Sequence, residues 1–260
     1  MNGFAEDGAD QAASGPLPGW LRPLADAVAD RAGAERAAVE ANRPDRRSTG
    51  AGRAAAVLVA IGSDVHGPEL ILIERAATLR SHPGQVAFPG GSRDPGDDFP
   101  AGTAVREATE EVGLDPASVR VFGTLPANYV AVSGFDVTPV LAWWHTPGLV
   151  RVVDRAEVAA VHRVPVAWLT DPARRGRVRH PSGYVGPAFE IGPADRPAEP
   201  LVWGLTAHMV DAVLDLAGWT RPWDRDRMLP IPDRHLSDGR AAAARGTGTV
   251  SAAPPREERR

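Results

Sequence analysis

Three glutamates, Glu107, Glu110 and Glu111, sit three and four residues apart in the stretch Arg106-Glu107-Ala108-Thr109-Glu110-Glu111. On an α-helix those spacings share a face, so the carboxylates crowd together. Like charges so placed cost a helix about a few tenths of a kcal/mol per pair. Glu110 and Glu111 also fall near the C-terminal end, where the helix dipole disfavours negative charge. Such an arrangement makes sense where a cation neutralises it, and all-oxygen ligation selects a hard ion, Mg²⁺ or Mn²⁺. Arg106, four residues before Glu110, can pair with it or orient a carboxylate from behind. A bare acidic helix face is more often simply solvated, since short motifs recur by chance. The flanks set this one apart.

Those flanks open with Gly90 and Gly91, in a loop able to bring backbone carbonyls close to the same cation. They end with Gly113, which closes the helix on schedule. The helix itself is predicted over 100–112, with Pro100 suited to its first turn. A Gly- and Pro-rich loop over 81–95 leads into it. Upstream, 54–61 is written almost wholly in Ala, Val, Leu and Ile, and a second apolar run at 69–73 follows a turn containing His66 and Gly67. The two read as a hairpin. Further strands are predicted at 119–125, 135–144 and 158–165, and a last amphipathic helix at 205–216 ends at Gly218. Strands interleaved with helices, through both short antiparallel turns and crossovers, predict a mixed sheet covered by helices, an α/β (α+β) architecture.

The remainder of the chain bounds the function. Cysteine is absent from the 260 residues, which removes thiol nucleophiles and thiolate metal sites and leaves His and carboxylates as strong ligands. Every basic residue other than histidine is Arg, so a bound phosphate must be gripped by Arg, backbone amides or metal. A net charge of −4 gives no general pull toward nucleic acid or an anionic membrane. No run approaches the roughly 18 apolar residues of a membrane span, and 1–14 lacks the build of a secretory signal, so the expected location is the cytoplasm. Residues 1–18 and 236–260 are poor in large apolar side chains and read as disordered ends. Trp20, Leu21, Leu24, Ala25 and Val28 fall at helical spacing within an N-terminal arm over 1–50. One domain is expected over 51–235, with a tail over 236–260.

The stretch from Gly91 to Leu114 resembles the Nudix box: Gly, five residues, Glu, seven residues, then Arg-Glu-apolar-x-Glu-Glu-x-Gly-apolar. Gly91 matches the first Gly, residues 106–111 the core, and Gly113-Leu114 the end. Asp97 stands where Glu is usual, and eight residues rather than seven separate it from Arg106. The resemblance implies a Nudix fold, a mixed β-sheet sandwiched between α-helices. It implies a hydrolase that opens a nucleoside diphosphate linkage by in-line attack of water, with metals holding the pyrophosphate oxygens. Glu107, Glu110 and Glu111 would then be metal ligands, the Gly91 carbonyl a further one, and Arg106 their orienting partner. The general base varies in the family; Glu157, on a later loop, is the candidate here beside the glutamates of the box.

A second pattern precedes the box. Arg75, Arg80, Gly84 and Phe88-Pro89-Gly90-Gly91 match in spacing a signature of the coenzyme A branch of Nudix enzymes, although Ala76 replaces the usual Ser and Ile73-Glu74 the expected Thr and its neighbour. Coenzyme A carries a 3′-phosphate, a dianion suited to Arg forks. Arg75 and Arg80, with Gly84, Phe88 and Gly90, are the candidate substrate-binding residues, and Phe88-Pro89 is also suited to packing the loop against the sheet. His82 reads as loop packing, and most of the tryptophans as core, with one available to stack on adenine. The products implied are adenosine 3′,5′-bisphosphate and 4′-phosphopantetheine or its acyl form. Two other readings stand beside this one: turnover of ADP-ribose or a related nucleotide, and a Nudix fold kept as a non-catalytic sensing module. The family resemblance also implies a homodimer, with the helix around Trp20 as the candidate contact.

Overall fold

The computed structural model describes residues 15–30, 50–131, 133–193 and 199–236. The expectations for the two disordered ends fall almost wholly outside these residues. The central sheet is built on β1 (Arg53–Asp64), β2 (Gly67–Arg75) and β7 (Phe135–Trp144). Strands β1 and β2 form the expected antiparallel hairpin, with Asp64 opposite Gly67, while β1 and β7 run parallel from Arg53 and Phe135 to Ile61 and Trp143. Strand β5 (Val119–Thr124) lies antiparallel to β7, and β8 (Val158–Pro165) lies antiparallel to β2. The sheet is therefore mixed, as its sequence implies.

Both faces of this sheet are covered, which is why its strands read as continuous apolar runs rather than as alternations. Ala56, Leu58, Ala60, Ile71, Ile73, Val140 and Ala142 meet one helix, α2 (Ala101–Val112), through Ala104, Ala108 and Val112. The alternate residues Val59, Ile61, Leu70, Leu72 and Leu141 face a second core. That core is closed by α4 (Gly204–Leu216) and by α1 (Arg22–Ala29). In and beside α1, Leu21 and Leu24 are fully buried, and Trp20 lies 6.2 Å from Trp219. The apolar face of this helix is thus packed against its own chain through Leu21, Leu24 and Val28.

Several elements escape the sequence reading. The loop over 81–95 contains two short strands, β3 (Val86–Ala87) against β2 and β4 (Gly90–Ser92) against β1. Strand β6 (Asn128–Val130) pairs with the start of β7. A short helix α3 (Val166–Leu169) then leads to a second, three-stranded antiparallel sheet made of β9 (Arg175–Arg179), β10 (Val185–Glu190) and β11 (Leu201–Val202). Among the described residues no helix is long and apolar enough to cross a membrane.

Candidate active site on the acidic helix

Helix α2 lies on the sheet by its alanines and ends where Gly113 turns left-handed (φ 68°), its N–H donating back to the carbonyls of Ala108 and Thr109. With Ala104, Ala108 and Val112 fixed inward, Arg106, Glu107 and Glu110 fall on the flank and Glu111 at the boundary. Glu111 is only 2% exposed. The Gly90 N–H donates to its Oε2 at 2.9 Å, while Oε1 is buried with no hydrogen-bond partner. A buried carboxylate oxygen left without a partner is costly. Burial pushes the Glu111 carboxyl up to about 8; the Gly90 bond opposes this, and the neighbouring Glu107 adds to it.

Gly91 lies directly against Glu107. A Cβ on Gly91 would stand 2.4 Å from Glu107 Oε1 and 2.5 Å from its carboxyl carbon, so a larger residue would push the carboxylate from this position. The pairing of β4 with β1, Gly91 opposite Ala56, holds this backbone against the helix. Burial also raises the Glu107 pKa, with the Arg106 charge pulling the other way.

Arg106 gathers the rest. Its Nε and Nη2 donate to Asp97 at 3.2 and 3.1 Å, Nη2 also to Glu107 Oε1 at 3.0 Å and to the Ser92 carbonyl at 3.1 Å, and Nη1 to Glu110 Oε2 at 3.0 Å. Asp97 further accepts from the Thr103 hydroxyl at 2.8 Å and the Asp94 N–H at 3.0 Å. The Arg106 hydrogen bond, then these two, hold the Asp97 carboxyl well below the usual carboxylate range. Asp97 is therefore a fastening for Arg106 and for the start of the helix. The three glutamates do not all meet: Glu107 and Glu111 flank Gly90-Gly91, whereas Glu110 is drawn to Arg106, its partner one turn earlier, with its side chain 58% exposed.

The signature upstream is divided by the fold. Arg75 ends β2 at an irregularity in its pairing with β8, and its charge reaches Glu111, opposing the rise of that carboxyl. Its Nε is buried without a hydrogen-bond partner. Gly84 is buried, its N–H donating to the Arg75 carbonyl at 3.1 Å, and Arg80 is exposed on the loop between them. Glu157 adjoins Arg75: its carbonyl accepts the Ala76 N–H at 2.7 Å, and its carboxylate is within electrostatic reach of Glu107 and Glu111. Phe88 differs from the substrate-contact expectation. It is 2% exposed and packs in the core on the face of the sheet opposite α2, because β3 carries it inward; the role that fits is anchoring the loop.

Among the described residues no three acidic or histidine side chains stand close enough together to enclose an ion. Yet every available donor is an oxygen, one Glu111 oxygen is buried and unsatisfied, and Arg106 alone faces Asp94, Asp97, Glu107 and Glu110. Excess negative charge with an unmet oxygen suits a hard ion.

A mixed sheet between helices with an acidic Arg-Glu helix behind a Gly-Gly strand defines a class, and comparison with known proteins agrees. The model of the NUDIX domain matches residues 52–182, just over half of the chain. The chain belongs to the Nudix family and is a Nudix hydrolase. An uncharacterized Nudix hydrolase NudL of Photorhabdus laumondii is 38% identical over 176 residues, covering 64% of this chain and 86% of that one. The protein of the same description from Cronobacter sakazakii is 47% identical over 131 residues, 50% of this chain and 64% of its own length. Among solved structures, the Nudix hydrolase RenU of M. smegmatis is 22% identical with a TM-score of 0.43, covering 66% of this chain and 90% of that one.

Proposed function

We propose that this diphosphatase opens the pyrophosphate linkage of coenzyme A or acyl-coenzyme A, releasing adenosine 3′,5′-bisphosphate and 4′-phosphopantetheine or its acyl form. The observation that carries the reading is Arg75: a guanidinium beside the acidic helix, with a buried Nε lacking a partner, at the head of the loop that bears Arg80 and Gly84. A phosphate monoester on the nucleotide offers such a group both charge and acceptors. Glu107, Glu110, Glu111 and the Gly91 carbonyl would hold Mg²⁺ or Mn²⁺. When bound, the ion supplies charge to offset that developing on the phosphoryl oxygens. Arg106 keeps Glu107 and Glu110 oriented, and Asp97 keeps Arg106 in place. Glu157, exposed and beside both Glu107 and Glu111, accepts the proton of the attacking water.

The test is to incubate the protein with coenzyme A and, separately, ADP-ribose, with Mg²⁺ or Mn²⁺, and to resolve the products by chromatography beside a Glu110→Gln variant. Release of adenosine 3′,5′-bisphosphate, abolished in the variant, is the expected result. Turnover of ADP-ribose alone would overturn the coenzyme A assignment while keeping the chemistry. Ligand binding without turnover of either would point to a sensing module, against which the three retained glutamates argue.

A further inference from the structure

The loop over 76–85 has two sides. Toward α2 it is fastened by Arg75 and Glu157. On its other side stands a group from distant parts of the chain. Glu74 continues the alternation of Leu70 and Leu72 in β2 and so lies on the face of the sheet away from α2. His162 Nε2 lies 3.7 Å from Glu74 Oε2. The nearby His162, then the charges of Arg234 and His235, lower the Glu74 pKa, so a carboxylate sits among three basic side chains. A Cβ built on Gly84, whose φ is +66°, would lie 3.4 Å from His235 Cε1 and 3.9 Å from Arg234 Nε. The space between the loop glycine and these two side chains is thus no wider than a methyl group.

The route by which Arg234 and His235 arrive is itself built. The segment over 227–236 begins by pairing in parallel with the edge strand β9 of the second sheet. The Arg177 N–H donates to the Arg227 carbonyl and the Leu229 N–H to the Arg177 carbonyl, both at 2.8 Å. Gly176 lets the segment press onto β9, since a Cβ there would stand 2.8 Å from Leu229 Cγ and 2.9 Å from the Arg227 carbonyl oxygen. Leu229 and Ile231 are buried with Val178, Ala188 and Leu201. His235 is 2% exposed and lies 6.3 Å from Trp203, which stacks on His180 at 5.7 Å. Arg234 is more open, its Nη1 3.0 Å from Glu199 Oε2.

We propose that this C-terminal strap is a specificity element of the active site: His235 and Arg234 are positioning residues that brace Gly84 and thereby hold the 76–85 loop, with Arg80, against the 3′-phosphate end of the substrate. The inference rests on the substrate-binding role given above to Arg75 and Arg80. The second sheet, which carries none of the acidic residues of the site, then serves as the abutment of the strap. Because the brace acts on the loop and not on the acidic helix, it governs substrate affinity and leaves the chemical step alone.

The experiment compares wild type with His235→Ala and Arg234→Gln, the second an exposed position that does not endanger folding. Hydrogen exchange of the 76–85 amides is measured without ligand, and kcat and KM are measured with coenzyme A and with its analogue lacking the 3′-phosphate. Faster loop exchange is expected in both variants. KM for coenzyme A should rise about tenfold with kcat within about twofold, and KM for the analogue should hardly move. Unchanged loop exchange in both variants would overturn the brace whatever the substrate. Faster exchange with equal KM changes for the two compounds, or with a fall in kcat alone, would overturn the specificity role. If the wild type turns over neither compound, the coenzyme A reading fails, and faster loop exchange would still support the brace.

Discussion

Two clusters in this molecule join arginine to carboxylates, and they are built on opposite plans. On α2 a single arginine, Arg106, faces Asp94, Asp97, Glu107 and Glu110, and Glu111 keeps one buried oxygen without a partner. Between α4 and the second sheet, Arg175 and Arg227 pair with Asp211 and Glu190, while Arg225 and Asp215 lie within electrostatic reach. There the Arg175 guanidinium also lies 4.4 Å from the Trp223 ring and 5.2 Å from Phe189. The second cluster balances its charge and sets its buried arginine against aromatic faces, although Nε and Nη1 of Arg175 have no hydrogen-bond partner. The first retains surplus acid at the surface of a helix. The clusters therefore differ in net charge and not in satisfaction: a balanced one holds the fold together, whereas one short of positive charge is prepared for a cation from outside.

The comparison is broken most directly at Glu111. Glu111→Gln keeps the shape and one acceptor for the Gly90 N–H but removes the charge, and kcat should fall about a thousandfold, ~4 kcal/mol of barrier. Steady-state kinetics at saturating Mg²⁺ measure it. Activity within tenfold of wild type would mean that the unmet oxygen is not part of the chemistry.

The balanced cluster should answer in stability instead. Asp211→Ala leaves Arg175, whose side chain is 3% exposed, without its ion partner, and should cost about 3 to 5 kcal/mol in denaturant unfolding. The folded variant should keep its kcat. The pH dependence follows from the same residue. Burial first, partly offset by Arg175, raises the Asp211 carboxyl from 3.8 to about 6. The folded state then holds the proton more tightly than the unfolded state, so this contribution to stability is complete below pH 3.8 and is lost as pH rises through about 6. In Asp211→Asn, which keeps an acceptor for Arg175, thermal unfolding should lose that slope. A slope that persists in the variant belongs to other groups.

How far the two clusters could be foreseen differs too. The helical part of the acidic one, Arg106 to Glu111, lies within six consecutive residues, so periodicity brought it out, and Gly113 closed the helix where expected, whereas Asp94 and Asp97 join it from the preceding loop. The long strands β1, β2 and β7 were legible because each buries an apolar run, and β8 through its valines, of which Val158 and Val164 are buried. Strands β3, β4 and β6 are two or three residues long and exist only through pairing, so local propensity carries no sign of them. The second sheet was hidden in the same way: Arg175–Arg179 has one apolar residue, Val185–Glu190 contains Gly and Pro, and the two take their register from each other, the first also from the strap. Phe88 looked like part of a binding motif and is core, since spacing does not report which face of the sheet a side chain meets. Arg234 and His235 reach Gly84 only through tertiary structure.

A cation should distinguish the clusters without any mutation. Mg²⁺ or Mn²⁺ at about 100 times its Kd would stabilise the folded state by about 2.7 kcal/mol. For a domain of this size that is a rise in Tm of about 5 to 10 °C. The rise should disappear in Glu111→Gln and survive in Asp211→Asn. Equal loss in both variants would mean that ion binding reports general stability and not the acidic helix.

The smallest effect is expected at Asp97, and it tests whether the acidic helix has an internal division of labour. Asp97 takes two hydrogen bonds from Arg106, one from Thr103 and one from the Asp94 N–H, and so is already satisfied where Glu111 is not. Asp97→Asn keeps one carbonyl oxygen for these donors and loses the charge that fixes Arg106. Arg106 would then be left to Glu107, Glu110, the more distant Asp94 and the Ser92 carbonyl, and the orientation of the two glutamates would loosen. The expected loss in kcat is about tenfold, the lower end for a residue that orients a metal ligand, with the cation-dependent rise in Tm largely retained. A loss as deep as that of Glu111→Gln, with the rise in Tm gone, would make Asp97 a ligand and not a fastening, and the acidic cluster would then lack the self-satisfied acid that separates Asp97 from Glu111.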